Sequence, residues 1–280
     1  MLGVFIMTML ASWIGVDTHG PTSAYIISDS RISWSDRIKF DHGKKVFASK
    51  NYPELFGYAG DVLFPSIVIQ QILEMIDNDV LFNRDTPCHE KNKIIFDKIS
   101  YELNKYPIQC SKKSFQILHI TRDTLVSKGK YPQFKANILC FDNDIWRRDE
   151  ILIPTESGIL CVMGSGKKEF FENYDKYQSS SNKNTSRNVV HCFIDTLKNI
   201  HDPYCGGAPQ LIGIYRKPDS SAKYFGIIYN AKRYFAGSEV PGGSNYNNID
   251  WRNENFEICD GENKKIIAGA ERQPNPLGGL

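Results

Sequence analysis

No two of the seven cysteines stand close enough to form a Cys-x-x-Cys pair; they lie at 88, 110, 140, 161, 192, 205 and 259. An odd and scattered set argues against a disulfide framework and against a structural zinc site. It fits a reducing, cytoplasmic setting. The six histidines, at 19, 42, 89, 119, 191 and 201, show no ligand spacing either, so no metal and no organic cofactor is expected. Charge of one sign is missing too. The chain has 34 Lys and Arg against 32 Asp and Glu, a net +2, and its basic pairs are scattered. Nothing calls for a nucleic-acid partner. Long apolar runs are absent: none approaches the ~20 residues of a membrane-spanning helix. The apolar opening MLGVFIM does not read as a secretory signal, because no Lys or Arg precedes Arg31 and no small-x-small site follows. No internal repeat is present.

What is there is a 280-residue chain of ordinary globular composition, 41% hydrophobic and 24% charged, large enough for a substantial core. The first third alternates as strands do. MLASWIGV and AYIISDSRISW flank a turn at His19-Gly20-Pro21 and predict a hairpin. KKVFAS and ELFGYAG predict two more short strands. Helical spacing follows, in Ile69, Ile72, Leu73 and Ile76 after Pro65, then in Ile95, Ile99 and Leu103. SFQILHIT, FKANILCFD, DEILIP and GILCVMG return to strands. A second helical pair carries Phe170, Phe171, Tyr174 and Tyr177, then Val189, Phe193, Leu197 and Ile200. APQLIGIYR and AKYFGIIYN close the series. From about Val240 the chain turns rich in Gly, Asn and Pro and reads as an irregular surface tail with one strand at KKIIAG. Strands in blocks and helices in pairs predict an α+β fold, a four-layer α/β/β/α sandwich with two stacked, mainly antiparallel sheets flanked by helix pairs. The domain runs over 8–240, with 1–7 as a leader or a mis-assigned start and 241–280 as a C-terminal extension.

Five short segments stand together in order: Asp29-Ser30-Arg31, Lys45 with Phe47, Ala59-Gly60, Gly164-Ser165-Gly166, and Asp202-Pro203-Tyr204-Cys205-Gly206-Gly207. Lys45 follows Asp29 by sixteen residues, and Gly60 follows Lys45 by fifteen. In these motifs and spacings, over roughly residues 8–230, the chain resembles the proteasome β-subunit and HslV family of N-terminal nucleophile hydrolases. The resemblance implies threonine-type peptide hydrolysis, with Thr8 as the nucleophile and its own α-amine as the base. Asp29 and Lys45 match the supporting ion pair, and Gly60 matches the oxyanion donor. Ser165, Asp202 and Cys205 match the groups around the amine, with Cys205 where the family has Ser. Phe47, Tyr58 and Val62 match positions lining an apolar substrate pocket. Partners implied are peptide or unfolded protein, further copies of the chain in a ring, and an ATPase unfoldase.

The chemistry stands without the family. A hydroxyl needs a base nearby, and a terminal amine with a pKa of ~7.7–8.0 can serve near neutrality. An ammonium beside the hydroxyl favours its ionised form, and a carboxylate orients that ammonium. The reading requires Thr8 to be a chain terminus, through removal of Met7 or self-cleavage of the leader. The span from Thr8 to Asp29 is about five residues longer than in the family. Counting back without gaps lands on Ala11, which has no nucleophile, beside Ser12 on the opposite face. A second reading is a catalytically inactive structural or regulatory subunit of the same fold. A third is a small-molecule-binding protein. Taken singly, Asp29 and Arg31 also suit a salt bridge, Lys45 a surface lysine, Ser165 a helix cap, Asp202 a turn residue and Cys205 a packed thiol.

Overall fold

Alternation along the first strand sets the layering. In the computed structural model, which describes residues 7–107, 114–142, 145–217 and 220–270, β1 (Leu10–Asp17) buries Ala11 and Trp13 on one side and Leu10 and Ile14 on the other. Both faces of this period-two strand are apolar, so it needs cover on both. Residues 1–6 of the leader, Cys110 and residues 271–280 of the extension lie outside the described residues.

The elements in order are β1, β2 (Gly20–Ser28), β3 (Ile32–Ser33), β4 (Lys39–Phe40), β5 (Val46–Ala48), β6 (Glu54–Gly60), α1 (Leu63–Asp77) and α2 (Cys88–Lys105). β7 (Phe115–Arg122), β8 (Phe134–Asp142), β9 (Ile145–Ile151), β10 (Gly158–Met163), α3 (Lys167–Tyr177) and α4 (Ser186–Asn199) follow. The chain continues with β11 (Gln210–Tyr215), β12 (Lys223–Tyr229), β13 (Lys232–Phe235), β14 (Ser238–Glu239), β15 (Asp250–Arg252) and β16 (Ile258–Cys259). One sheet runs β10-β1-β2-β11-β12-β13-β14, with β15 and β16 attached at β12. A second runs β5-β6-β7-β8-β9 and is antiparallel throughout, and β3 and β4 pair as a small two-stranded sheet.

The two sheets face each other across Leu10, Ile26, Val46, Leu55, Leu118 and Ile212. Trp13, Tyr25 and Ile27 turn outward under Phe170, Tyr174, Val189 and Phe193 of α3 and α4. On the opposite outside, Phe56, Phe115 and Leu139 pack under Ile69, Ile72, Ile95 and Ile99 of α1 and α2. This is the four-layer α/β/β/α sandwich that the sequence pattern predicts. Pro65 sits in the first turn of α1, where no intrahelical N–H is lost. Thr185 caps α4 through its side chain, accepting from the Asn188 N–H at 3.2 Å.

Two local expectations change. The expected strand DEILIP is β9, which starts four residues earlier and stops at Ile151. The tail is not wholly irregular: β15 pairs in parallel with β12, and Trp251, 2% exposed, lies over Gly226 with its Nε1 donating to the Tyr246 carbonyl at 2.9 Å. A three-residue strand has no period to read. At KKIIAG the only pairing is a single bridge from Ile266 to Cys259.

Candidate active site

Register brings the site together. Leu10 pairs with Ser28 on one side and with Met163 on the other, and Ser28 pairs with Gln210. The start of β1, the end of β2, the end of β10 and the start of β11 therefore meet at one rim of the larger sheet. The start of β5 and the end of β6 arrive from the facing sheet, carrying Lys45 and Gly60.

Thr8, just before β1, is 2% exposed. Lys45 Nζ donates to Thr8 Oγ1 at 2.8 Å and to Asp29 Oδ1 at 2.8 Å. Lys45 is 1% exposed and Asp29 is fully buried, so the ion pair is screened little by solvent. Asp29 Oδ1 also accepts from the Met9 N–H at 3.1 Å, and its Oδ2 accepts from the N–H groups of Arg31 at 3.2 Å and Gly206 at 3.0 Å. Four donors fix the carboxylate, and the carboxylate fixes the ammonium.

The carbonyl of Met7 accepts from the Gly60 N–H at 3.1 Å. Gly60 has φ +98°, and a Cβ there would meet the Ser114 carbonyl at 2.4 Å, so the donor depends on glycine. The Thr8 carbonyl accepts from the Gly166 N–H at 3.2 Å, and Gly164, φ +88°, lies so close that a Cβ would meet that oxygen at 2.0 Å. Thr8 itself has φ 126°. For a β-branched residue this is a strained conformation, worth on the order of 1–3 kcal/mol. The Met7–Thr8 peptide is thus held by a donor on one carbonyl, a lysine on the neighbouring hydroxyl, and strain in between.

Ser165, Asp202 and Cys205 form a chain of their own: Ser165 Oγ lies 3.7 Å from Cys205 Sγ, which lies 3.4 Å from Asp202 Oδ2. Burial pushes the Cys205 thiol well above its ordinary range, with Asp29 and Asp202 adding to it. It is a neutral thiol and a weak donor.

Arg31, Phe47 and Tyr58 do not lie where the sequence readings put them. Arg31 does not pair with Asp29. Its guanidinium forks onto Asp41, with Nε to Oδ1 at 2.7 Å and Nη2 to Oδ2 at 2.9 Å, and donates to the carbonyls of Pro203 and Cys205. β2 ends at Ser28, and Asp29 and Arg31 lie in the segment beyond it. Phe47 and Tyr58 are core residues under α1, 1% and 0% exposed, because their places in the pleat turn them away from the rim. Of the three expected pocket residues only Val62 borders the cavity of about 360 Å³ beside Met7, whose other walls include Ile32, Trp34, Asp61 and Leu63. Ala11 and Ser12 are both remote from Lys45 in role. Ala11 packs under the helices, and Ser12 Oγ contacts Cys161 Sγ at 3.2 Å.

Sequence reasoning missed Gln210. Its Nε2 donates to the carbonyls of Asp29 and Gly43, both at 2.9 Å, and its Oε1 accepts from the Lys45 N–H at 3.0 Å. It ties the aspartate segment to the lysine segment. The available signal was a lone amide in the apolar run APQLIGIY.

No protein-family model matches the chain, and no curated protein matches it. Solved structures do. Anbu (ancestral beta-subunit) from Yersinia bercovieri aligns with a TM-score of 0.51 and 10% identity, over 77% of this chain and 86% of that one. The Anbu complex from Pseudomonas aeruginosa, described as a helical assembly, aligns with a TM-score of 0.51 and 11% identity, over 85% and 88%. These matches correct the resemblance drawn from the motifs to proteasome β-subunits and HslV. HslV from Trypanosoma brucei reaches a TM-score of only 0.44 at 10% identity, over 74% and 99%, which carries no argument. Identities this low speak for architecture alone. Layers, register and the Anbu likeness together establish that this chain has the α/β/β/α fold seen in the Anbu structures.

Proposed function

We propose that the chain is an amide hydrolase whose nucleophile is the Thr8 hydroxyl, acting on peptide bonds once Thr8 is a free N-terminus. The observation that carries the reading is Lys45 Nζ at 2.8 Å from both Thr8 Oγ1 and Asp29 Oδ1, in a buried setting. In the processed enzyme the Thr8 amine takes the hydroxyl proton. Oγ1 attacks the substrate carbonyl, and the Gly60 N–H receives the oxyanion, a donor worth about 10²–10³ in rate. The leaving amine departs with the proton and water resolves the ester. Ser165, Asp202 and Cys205 surround the amine in this scheme.

Release of Thr8 follows the same geometry. Thr8 Oγ1 attacks the Met7 carbonyl carbon, the Met7–Thr8 C–N bond breaks, and the hydroxyl proton passes to the freed amine. Water then hydrolyses the Met7 ester. The strained φ of Thr8 is relieved when the bond opens. The mostly apolar cavity beside Met7 supports an apolar residue on the acyl side of the cut bond. Cytoplasmic residence and assembly of several copies complete the proposal. The Anbu complex is described as a helical assembly, and all six described cysteines are free. Among the described residues no helix is long and apolar enough to cross a membrane. A gating ATPase and a ring belong to the same reading.

The catalytically silent reading is favoured by one observation: the Gly60 N–H is already engaged by Met7. Intact mass and N-terminal sequencing of the protein from its own cell, with peptide turnover beside them, separate the two. The hydrolase reading expects a chain beginning at Thr8 that turns over peptides, and a Thr8→Ala chain that does not. A chain that retains Met7 and hydrolyses nothing makes it a silent subunit.

A further inference from the structure

The cavity of about 360 Å³ beside Met7 is walled mainly by Ile32, Trp34, Val62 and Leu63, but two of its polar groups have no partner. Ser33 is 6% exposed, and its Oγ makes no hydrogen bond. A buried hydroxyl left so is costly, and a bound group that meets it relieves the cost. Asp61 is half-buried, and among the described residues no Lys, Arg or His pairs with its carboxylate. It is the one charged residue among the described cavity walls.

Backbone holds both groups where a substrate side chain would come. The Asp61 N–H donates to the Ser114 carbonyl at 3.1 Å, directly after the Gly60 donor, and Ser33 pairs with Lys39 in the β3–β4 hairpin. The Met7 carbonyl takes the Gly60 N–H at 3.1 Å. Met7 therefore stands where the acyl-side residue of a substrate stands, and the cavity opens beside that place.

One other source of potential reaches the cavity. Val62 is the N-cap of α1 and offers no side-chain acceptor, so the positive end of the helix is uncapped at the wall formed by Val62, Leu63 and Ser66. That end carries roughly half an elementary charge. The full negative charge of Asp61 outweighs it. A neutral residue at 61 would leave the same cavity positive, so Asp61 sets the sign.

We propose that Asp61 is a specificity-determining residue, and that the substrates are peptides with lysine or arginine on the acyl side of the cut bond. The stem of such a side chain lies on Ile32, Trp34 and Val62, and its N–H donors meet the Asp61 carboxylate and Ser33 Oγ. A leucine covers the walls and leaves both polar groups unmet. A glutamate brings like charge to Asp61. A carboxylate in a specificity pocket selects basic side chains in serine proteases by the same physics. The inference rests on the hydrolase reading, and it narrows the apolar residue expected there to an apolar stem with a cationic tip.

The test uses three fluorogenic tetrapeptides that differ only in Lys, Leu or Glu on the acyl side, with the protein as its own cell makes it. Ratios of kcat/KM are compared, so a general loss of activity in a variant cancels. The wild type is expected to rank Lys above Leu above Glu, with Lys over Glu by at least 100-fold. In Asp61→Asn the Lys-to-Leu ratio is expected to fall at least tenfold and the Glu-to-Leu ratio to rise at least tenfold. In Ser33→Ala the Lys-to-Leu ratio is expected to fall a few-fold. The same order is expected in the dissociation constants of acetylated tripeptide amides ending in Lys, Leu or Glu, measured by calorimetry without any cleavage. Binding in that order with no turnover would remove the hydrolase reading and leave the pocket assignment standing. Equal binding of the three amides, a preference for Glu, no binding at all, or ratios indifferent to Asp61→Asn would overturn the proposal.

Discussion

Replacing Lys45 by alanine separates two roles that one side chain fills. Its Nζ is the sole cation on Asp29 among the described contacts, at 2.8 Å. With Asp29 fully buried, the substitution leaves a carboxylate with three N–H donors and no counter-charge. Breaking a buried pair from one side costs about 3–5 kcal/mol, or on the order of 10 °C in melting temperature for a domain of this size. Replacing both partners, as Asp29→Asn with Lys45→Met, removes the stranded charge. The double variant is expected to recover most of that loss, because buried pairs exchange for neutral groups at little net cost. Activity behaves differently. Both variants lack the ammonium beside Thr8 Oγ1, so both are expected to lose Met7–Thr8 cleavage and peptide turnover by at least 10². The assays are thermal unfolding for stability, intact mass for cleavage and a fluorogenic peptide for turnover. A Lys45→Ala protein as stable as the wild type would refute the ion-pair argument. A double variant that still frees Thr8 and turns over peptide would sink the catalytic one.

Three further outcomes are expected. Cys205→Ser replaces a weak donor 3.4 Å from Asp202 with a hydroxyl, so turnover is expected to rise several-fold with little change in melting temperature; unchanged turnover removes Cys205 from the site. Arg216 holds the Asp17 carboxyl down to about 2, and Arg31 holds Asp41 below the usual range. Folded pKa values below the unfolded ~3.9 stabilise above about pH 4 and stop stabilising as pH falls through the folded values. The melting temperature is expected to fall between pH 4 and 2, less steeply in Asp17→Asn; identical slopes in the two proteins refute the assignment. Lys91→Ala removes the ammonium 3.2 Å from Oε1 of fully buried Glu54 but leaves that carboxylate His119 Nε2 and Thr121 Oγ1, at 2.8 and 2.7 Å, so stability should drop by less than the ~3–5 kcal/mol of a fully stranded charge; a melting temperature equal to that of the wild type would show the pair to be dispensable.

Much of the architecture was legible in periodicity. Ile95, Ile99 and Leu103 repeat every four residues because one side of α2 faces the sheet. The early strands are apolar on both faces because each sheet is covered on both sides. The pairing of Asp29 with Lys45 was legible only through the motif resemblance, because β2 and β5 belong to different sheets. The pocket was not. Phe47 and Tyr58 lie on the helix-covered side of β5 and β6, whereas Val62 follows the end of β6 and stands at the N-cap of α1, and no spacing along one strand reports where the rim lies. The plainer alternative, an Arg31–Asp29 salt bridge, fails for a related reason. The strand stops at Ser28, and the chain turn that follows aims the guanidinium at Asp41.

By itself the sequence determined the order of the main elements and the residue types available for nucleophile, cation and oxyanion donor. Those follow from local propensity and from chemistry that each residue carries with it. Only tertiary structure decided that Thr8, rather than Ala11 or Ser12, meets Lys45, that the Met7 carbonyl takes the Gly60 N–H, and that Gln210 laces two segments together. These are contacts between strand ends dozens to hundreds of residues apart, and their geometry is set by register and sheet packing, which no local pattern encodes.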